Sequence, residues 1–323
     1  MWYTSDAEDK VRRAGRGKEH RPGPQVQVGL LVDPGGFPLE VHLFPGNKGE
    51  VRTILPVLKG YRERTGTEGM VVVADAAMLS ADNLDALEGA GFGFIVGSKQ
   101  TKAADDLAAH FAQHGDYFPD GATVEASRRM GRGKDAKTRR VVWHYSFKRH
   151  KRDDHAINKQ IERAGKIASG DLEMRNARFL KVDGAEMGLN QALIDRARRL
   201  AGLKGYVTSL SVEQMPALEV VGAYHQLYEV ERSFRMAKSD LRARPIFHHL
   251  EDSIEAHLTT VFAALAVSRH LEAAAGVSIK RLVTTLRQVR SAVIEVGGGS
   301  LTVPPAVPPG AQAILDALAA NGY

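Results

Sequence analysis

"MVVVAD" (Met70–Asp75) decides how this chain is read, because five apolar residues run without interruption into one carboxylate. A run with no polar alternation has no solvent face. It fits a strand covered on both sides, as in sheets whose strands are joined by helices. Upstream, "QVQVGLLVD" (Gln25–Asp33), the turn "PGG" and "FPLEVHLF" (Phe37–Phe44) predict a hairpin, since the flanking runs are β-rich and the second alternates with period two. Between hairpin and strand, "GNKGE" leads into a helical pattern from Glu50 to about Glu63, with Ile54, Leu55, Val57, Leu58 and Tyr61 on its apolar face. Downstream, Ser80 is placed to cap a helix and "FGFIVGS" (Phe92–Ser98) is a second buried strand. The order strand, strand, helix, strand, helix, strand predicts an α/β fold with a mixed sheet and flanking helices.

From Lys99 to Leu203 the composition turns charge-rich. "RRVVWHYSF" (Arg139–Phe147) predicts one strand, a polar helix follows it, and "ARFLKV" (Ala177–Val182) predicts another strand. "GLKGYVTSL" (Gly202–Leu210) then resumes the buried pattern. The expected division is residues 1–98 and 204–296 as two parts of one core, 99–203 as a basic, partly β insertion, and 297–323 as a Pro/Gly connector with a short last helix. The connector is "GGGSLTVPPAVPPG" (Gly297–Gly310).

A chain of 323 residues can bury a large core, and its 25% charged and 43% hydrophobic content is that of a folded protein. A net charge of +6 and a pI near 9.4 favour polyanionic partners without requiring them. No cysteine is present, which excludes disulfides, thiolate metal sites and cysteine nucleophiles and suits a cytoplasmic location. "LTTVFAALAV" (Leu258–Val267) is too short to span a bilayer and predicts a buried helix, so no membrane partner is expected.

The chemistry concentrates in "YHQLYEVERSFRMAKSDLRARP" (Tyr224–Pro245). On a helical period Leu227, Val230, Phe234, Ala237 and Leu241 form one apolar stripe. Tyr224, Tyr228, Glu231, Arg235, Lys238 and Arg242 form a second, which places Glu231 at the rim of the core. A plain surface pair of Glu231 with Arg235 is one reading, contributing only ~0.2–0.5 kcal/mol. A functional reading needs a second carboxylate. Asp75 supplies it, at the carboxyl end of an apolar strand where open α/β sheets gather reactive groups.

These residues resemble the Tyr-x2-Arg-x3-Glu-x6-Lys branch of the DDE transposases of bacterial insertion sequences. "VVVADAAMLS" resembles their second-aspartate strand, "GLLVDPGGFPLEVHLFPGNKGE" the hairpin before it, and "GLKGYVTSL" the strand before the glutamate helix. The resemblance implies a ribonuclease-H-like core, with Asp75 and Glu231 as the second and third metal-binding carboxylates. Tyr224 and Lys238 match the motif's phosphate-contacting tyrosine and lysine. Leu227 stands where the motif has arginine, and Arg235 on the adjacent turn is a substitute contact; Arg242 is a further DNA-binding candidate. Two Mg2+ (or Mn2+) ions, double-stranded DNA at terminal inverted repeats and at the target, and a homodimer working on two DNA ends follow from the same likeness, as does a nucleoid-associated location.

The motif's first aspartate has no clear counterpart. "MWYTSD" is expected to be the remainder of the first strand, and neither Asp6 nor Asp9 is placed to serve. The expectation is therefore an amino-terminally truncated transposase with impaired strand cleavage. A non-catalytic DNA-binding remnant, carried by "RRMGRGKDAKTRR" and "KRHKRDD", and a ribonuclease-H-like nuclease stand as alternatives. "GRGK" (Gly131–Lys134) predicts a basic turn, and Trp143 predicts strand packing.

Overall fold

The computed structural model describes residues 2–4, 9–14, 24–48, 50–76, 80–173, 176–183, 186–241, 243, 246–248 and 250–322. It comprises two units, one formed by Met1–Val57 with Gln226–Tyr323, the other by Leu58–His225.

The first unit begins with four antiparallel strands: β1 (Trp2–Thr4), β2 (Arg13–Ala14), β3 (Pro24–Val32) and β4 (Pro38–Pro45). The expected hairpin is β3–β4, in register from Val26 opposite Pro45 to Leu31 opposite Glu40. β1 pairs with β3, Trp2 opposite Gln27, as the opening residues suggested. Asp33 closes the hairpin turn: its Oδ1 accepts from the Phe37 amide at 2.8 Å, and its carbonyl accepts from Gly36 at 2.9 Å. Gly36 has φ +81°, a conformation that side chains with a Cβ rarely take. Helix α1 (Glu50–Thr65) follows, and the division between the units falls within it.

The second unit contains β5 (Val71–Ala74), α2 (Ala81–Gly89), β6 (Gly93–Ser98), the short helices α3 (Ala103–Asp106) and α4 (Ala108–His114), β7 (Thr123–Met130) and β8 (Lys137–Tyr145). It continues with α5 (Phe147–Ala168), β9 (Leu180–Asp183), β10 (Glu186–Leu189), α6 (Gln191–Arg199), β11 (Leu203–Thr208) and α7 (Ala217–His225). Ser80 caps α2 as expected, its Oγ accepting from the Asn83 amide at 3.3 Å. Five strands form a mixed sheet in the order β5-β6-β11-β8-β7, in which β5 and β6 run parallel and the other neighbours antiparallel. On one face Ile95, Val142 and Tyr206 pack with Val220 and Val221 of α7, with Val71 and Val73 against them.

The charged stretch is more regular than its composition suggests. β7, a strand that the sequence reading did not single out, pairs along the length of β8, its side chains alternating between half-buried and exposed. The "GRGK" segment is the turn between these two strands. Trp143 is fully buried in β8 and its indole Nε1 donates to Asp106 at 2.9 Å. Gly205 on the neighbouring strand makes room for it, since a Cβ there would stand 2.7 Å from the indole ring.

The first unit resumes with α8 (Leu227–Ser239), α9 (Glu251–Ala275), α10 (Ile279–Leu286), β12 (Ala292–Val296), β13 (Gly299–Val303) and α11 (Pro309–Ala320). Ile254 and Leu258 of α9 pack with Val26 and Val28 of β3, and Leu265 with Met236 and Ala237 of α8. Each such fully buried aliphatic side chain contributes about 1.5–3 kcal/mol. The tail corrects one expectation. Gly297 and Gly298, both at positive φ, turn β12 back onto β13, so the first part of the presumed flexible connector is a hairpin. No helix among the described residues is long and apolar enough to cross a membrane.

Candidate active site

Asp75 is exposed and lies one residue beyond β5, whose last pairing sets Ala74 beside Val96 of β6. Period-two alternation therefore puts Asp75 on the same sheet face as Val71 and Val73, level with Gly97. Gly97 pairs with Tyr206, and two residues toward the amino end of β11 Lys204 pairs with His144 of β8. A row of functional groups thus crosses the sheet at the end where β5 stops.

Helix α7 lays its last turn over this row. The Tyr224 ring lies 4.7 Å from that of Tyr206, and the Lys204 ammonium is 5.2 Å from the centre of the Tyr224 ring. Gly97 is the floor beneath them: a Cβ there would be 2.5 Å from Tyr224 Oη and 3.3 Å from Lys204 Nζ. His225, the next residue, meets His144 edge to face at 6.3 Å. Arg149, in the first turns of α5, adds its charge to the same surroundings.

The electrostatics are those of crowded cations. Burial first, then His225 and Arg149, pull the His144 imidazole below the usual histidine range, with Asp120 acting the other way. Burial and Arg149 do the same to His225. Burial, followed by Arg149, lowers the Lys204 ammonium, and Asp75 opposes them. Burial pushes the Tyr206 phenol up to about 12, so it stays protonated.

Glu231 stands in the other unit, on α8. The buried face of that helix is made by Ser233, Met236 and Ala237, and its polar members are anchored. Ser233 Oγ donates to the Gly36 carbonyl at 2.7 Å. Glu229 accepts from Arg269 of α9 at 2.5 Å; Arg269 also donates to Gly35 O, and Glu272 accepts from Arg232 at 2.7 Å. Glu231 is two residues past Glu229, about 200° around the helix, so it points outward. It is exposed together with Arg235, and Lys238 is half-buried on the same stripe.

Two expectations change here. The helix is interrupted at Gln226, where the Glu229 amide bonds back to the Gln226 carbonyl at 2.9 Å; Tyr224 therefore lies in the last turn of α7, whereas Glu231 belongs to α8. And Glu231 is exposed where a position at the rim of the core was expected, because ion pairs and a serine, rather than Leu227, Val230 and Phe234 alone, fix the inward face. Among the described residues no ion pair joins Glu231 to Arg235. Arg242 and Asp6 lie outside the described residues. Asp9 is described and is engaged, accepting from the Val11 and Arg12 amides and from Arg12 Nε at 2.7–2.9 Å.

Asp75 and Glu231 are exposed carboxylates, the hard oxygen donors that divalent ions such as Mg2+ take. Among the described residues no group of three His, Asp or Glu side chains stands close enough together to hold an ion. Sequence reasoning missed Lys204, His144 and His225, and held Arg149 only as a member of the basic run "KRHKRDD". The signal for Lys204 was present, since Lys204, Tyr206 and Thr208 alternate along "GLKGYVTSL" onto one face.

No curated protein matches the chain. The family model described as "Transposase DDE domain" matches residues 3–267, from β1 into α9, and takes in Asp75, Lys204, Tyr224 and Glu231. That family acts on DNA and generally uses divalent metal ions. With most of its length matched in a single span, the chain belongs to the DDE-domain transposases.

Proposed function

We propose that the chain is a transposase of the Tyr-Arg-Glu-Lys branch of insertion-sequence enzymes, with a ribonuclease-H-like core, and that it cuts and joins DNA at the element's ends. The observation that carries this reading is Asp75, an exposed carboxylate just past the half-buried edge strand β5, set among cations and phenols on one sheet face. Asp75 and Glu231 are the residues that would hold Mg2+ or Mn2+. Bound divalent ions supply Lewis acidity to an attacking water or 3′-hydroxyl and to the leaving oxygen of a phosphodiester.

The remaining residues bind and orient. Arg235 and Lys238, one helical turn apart on the outward stripe of α8, offset backbone phosphates. Tyr224 presents a phenol braced against Tyr206. A homodimer on two DNA ends is part of the same proposal, as is residues 99–203 being an insertion into the core. The test is Mg2+- or Mn2+-dependent nicking of supercoiled plasmid. Asp75→Asn and Glu231→Gln should each abolish nicking while leaving thermal unfolding unchanged. Nicking that survives both substitutions would refute the assignment.

A further inference from the structure

The groups beside Asp75 that the motif does not include have a chemistry of their own. Lys204 and His144 are direct cross-strand partners, His225 closes on His144 from α7 at 6.3 Å, and the charge of Arg149 on α5 acts on all three. All four come from different elements of one unit, so the cluster is built by the fold and is not a run of charge in sequence. Among the described residues no carboxylate forms an ion pair with any of the four. Asp75 and Asp120 act on the cluster only from a distance.

Such an arrangement is unfavourable by itself. Burial first, and nearby charge second (His225 and Arg149 on His144, Arg149 on the other two), make Lys204, His144 and His225 hold their protons less firmly. What would relieve it is an anion with several acceptor oxygens. Lysine offers a compact point charge, arginine a planar fork, and histidines donors that gain charge when an anion arrives. Gly97 leaves the floor of the cluster without a side chain.

We propose that Lys204, Arg149, His144 and His225 form a phosphate-binding station beside Asp75 that takes a backbone phosphate of the DNA strand. The proposal rests on the transposase reading for its ligand, and it adds residues that stand outside the Tyr-Glu-Lys pattern. Their role is to hold a strand at the carboxyl end of β5, on the sheet face that carries Asp75.

The experiment uses the full chain and a fluorescent duplex, with affinity measured by anisotropy in EDTA over a range of salt. Each lost phosphate contact lowers the slope of log K against log salt by about 0.9. Lys204→Gln and Arg149→Gln should each show that loss. Lys166→Gln, which removes a charge already paired with Glu162 on the exposed face of α5, should show none. In parallel, the His144 and His225 ring resonances should move when the duplex is added, and inorganic phosphate should move them too. His225→Gln removes one histidine together with its edge contact to His144 and should weaken binding in the same sense.

An unchanged salt slope in Lys204→Gln and Arg149→Gln overturns the proposal. So does a slope reduced equally by Lys166→Gln. Histidine resonances that respond to inorganic phosphate alone, with the DNA slope unchanged, overturn the assignment to a DNA phosphate. Because binding is measured without metal, the two readings fail separately. Normal nicking by Asp75→Asn would remove the catalytic role of Asp75 and leave the slope result standing, whereas an unchanged slope with inactive Asp75→Asn would remove only the phosphate station.

Discussion

Gly97→Ala tests whether the geometry at the end of β5 is as tight as the distances say. The added methyl carbon would be 2.5 Å from Tyr224 Oη and 3.1 Å from Tyr224 Cζ, so the phenol has to move by roughly 1 Å to reach ordinary contact. It has little room to do so. Its ring lies 4.7 Å from that of Tyr206, which is 1% exposed, and the Lys204 ammonium is on the other side. Overpacking of this kind costs about 1–3 kcal/mol. Tyr224→Phe removes the atom that clashes at 2.5 Å and leaves only the 3.1 Å contact. The double variant should therefore recover much of the loss, with a coupling of about 0.5–3 kcal/mol in a cycle of thermal or urea unfolding. Gly97→Ala should also weaken DNA binding, since Tyr224 and Lys204 leave their positions together. A single variant that unfolds like the parent, or two substitutions whose costs simply add, would refute the close approach of α7 to the sheet.

Other substitutions separate the two glutamates of α8. Glu229→Gln weakens the pairing of Arg269, whose side chain is 7% exposed, and should destabilise by about 1–3 kcal/mol in urea unfolding; Glu231→Gln, on the outward face, should change stability by no more than about 0.5 kcal/mol while abolishing cleavage. Gly36→Ala must adopt φ +81° with its Cβ 2.6 Å from Arg269 Nη2 and 3.0 Å from the Glu229 carbonyl, for an expected loss of about 2–4 kcal/mol by the same assay. The histidine pair sets a pH dependence. His144 and His225 bind protons more weakly folded than unfolded, so below the ordinary value of 6.5 the unfolded chain takes up protons first and stability falls until the folded imidazoles also charge. Unfolding free energy followed from pH 8 to pH 5 should show this decline, and it should be shallower in His225→Gln.

What could be read from the sequence divides along a physical line. The existence of the strand before Asp75, the β3–β4 hairpin and the cap at Ser80 depend on neighbours within a few residues, so local pattern suffices for them, but β5 is a half-buried edge strand where its apolar run predicted one covered on both sides, because sheet order is set by distant pairings. The inward face of α8 depends on Arg269 and Glu272, some 40 residues away, and a buried glutamate on an amphipathic helix has the same periodic appearance as a solvated one. The break at Gln226 was hidden for a related reason. Good helix formers run through it, and the interruption shows only once Tyr224 is seen against Tyr206 of the sheet. Lys204 and His144 are 60 residues apart and become neighbours only through strand register, which a single period-two pattern cannot assign. The stretch proposed as the motif could be singled out because its spacing is local, while the cations around Asp75 could not, because strand pairing assembles them. The surroundings of Asp75 are therefore a consequence of the sheet: a one-residue slip of β11 against β6 and β8 would turn Lys204 and Tyr206 to the opposite face and dismantle the cluster without altering a single residue.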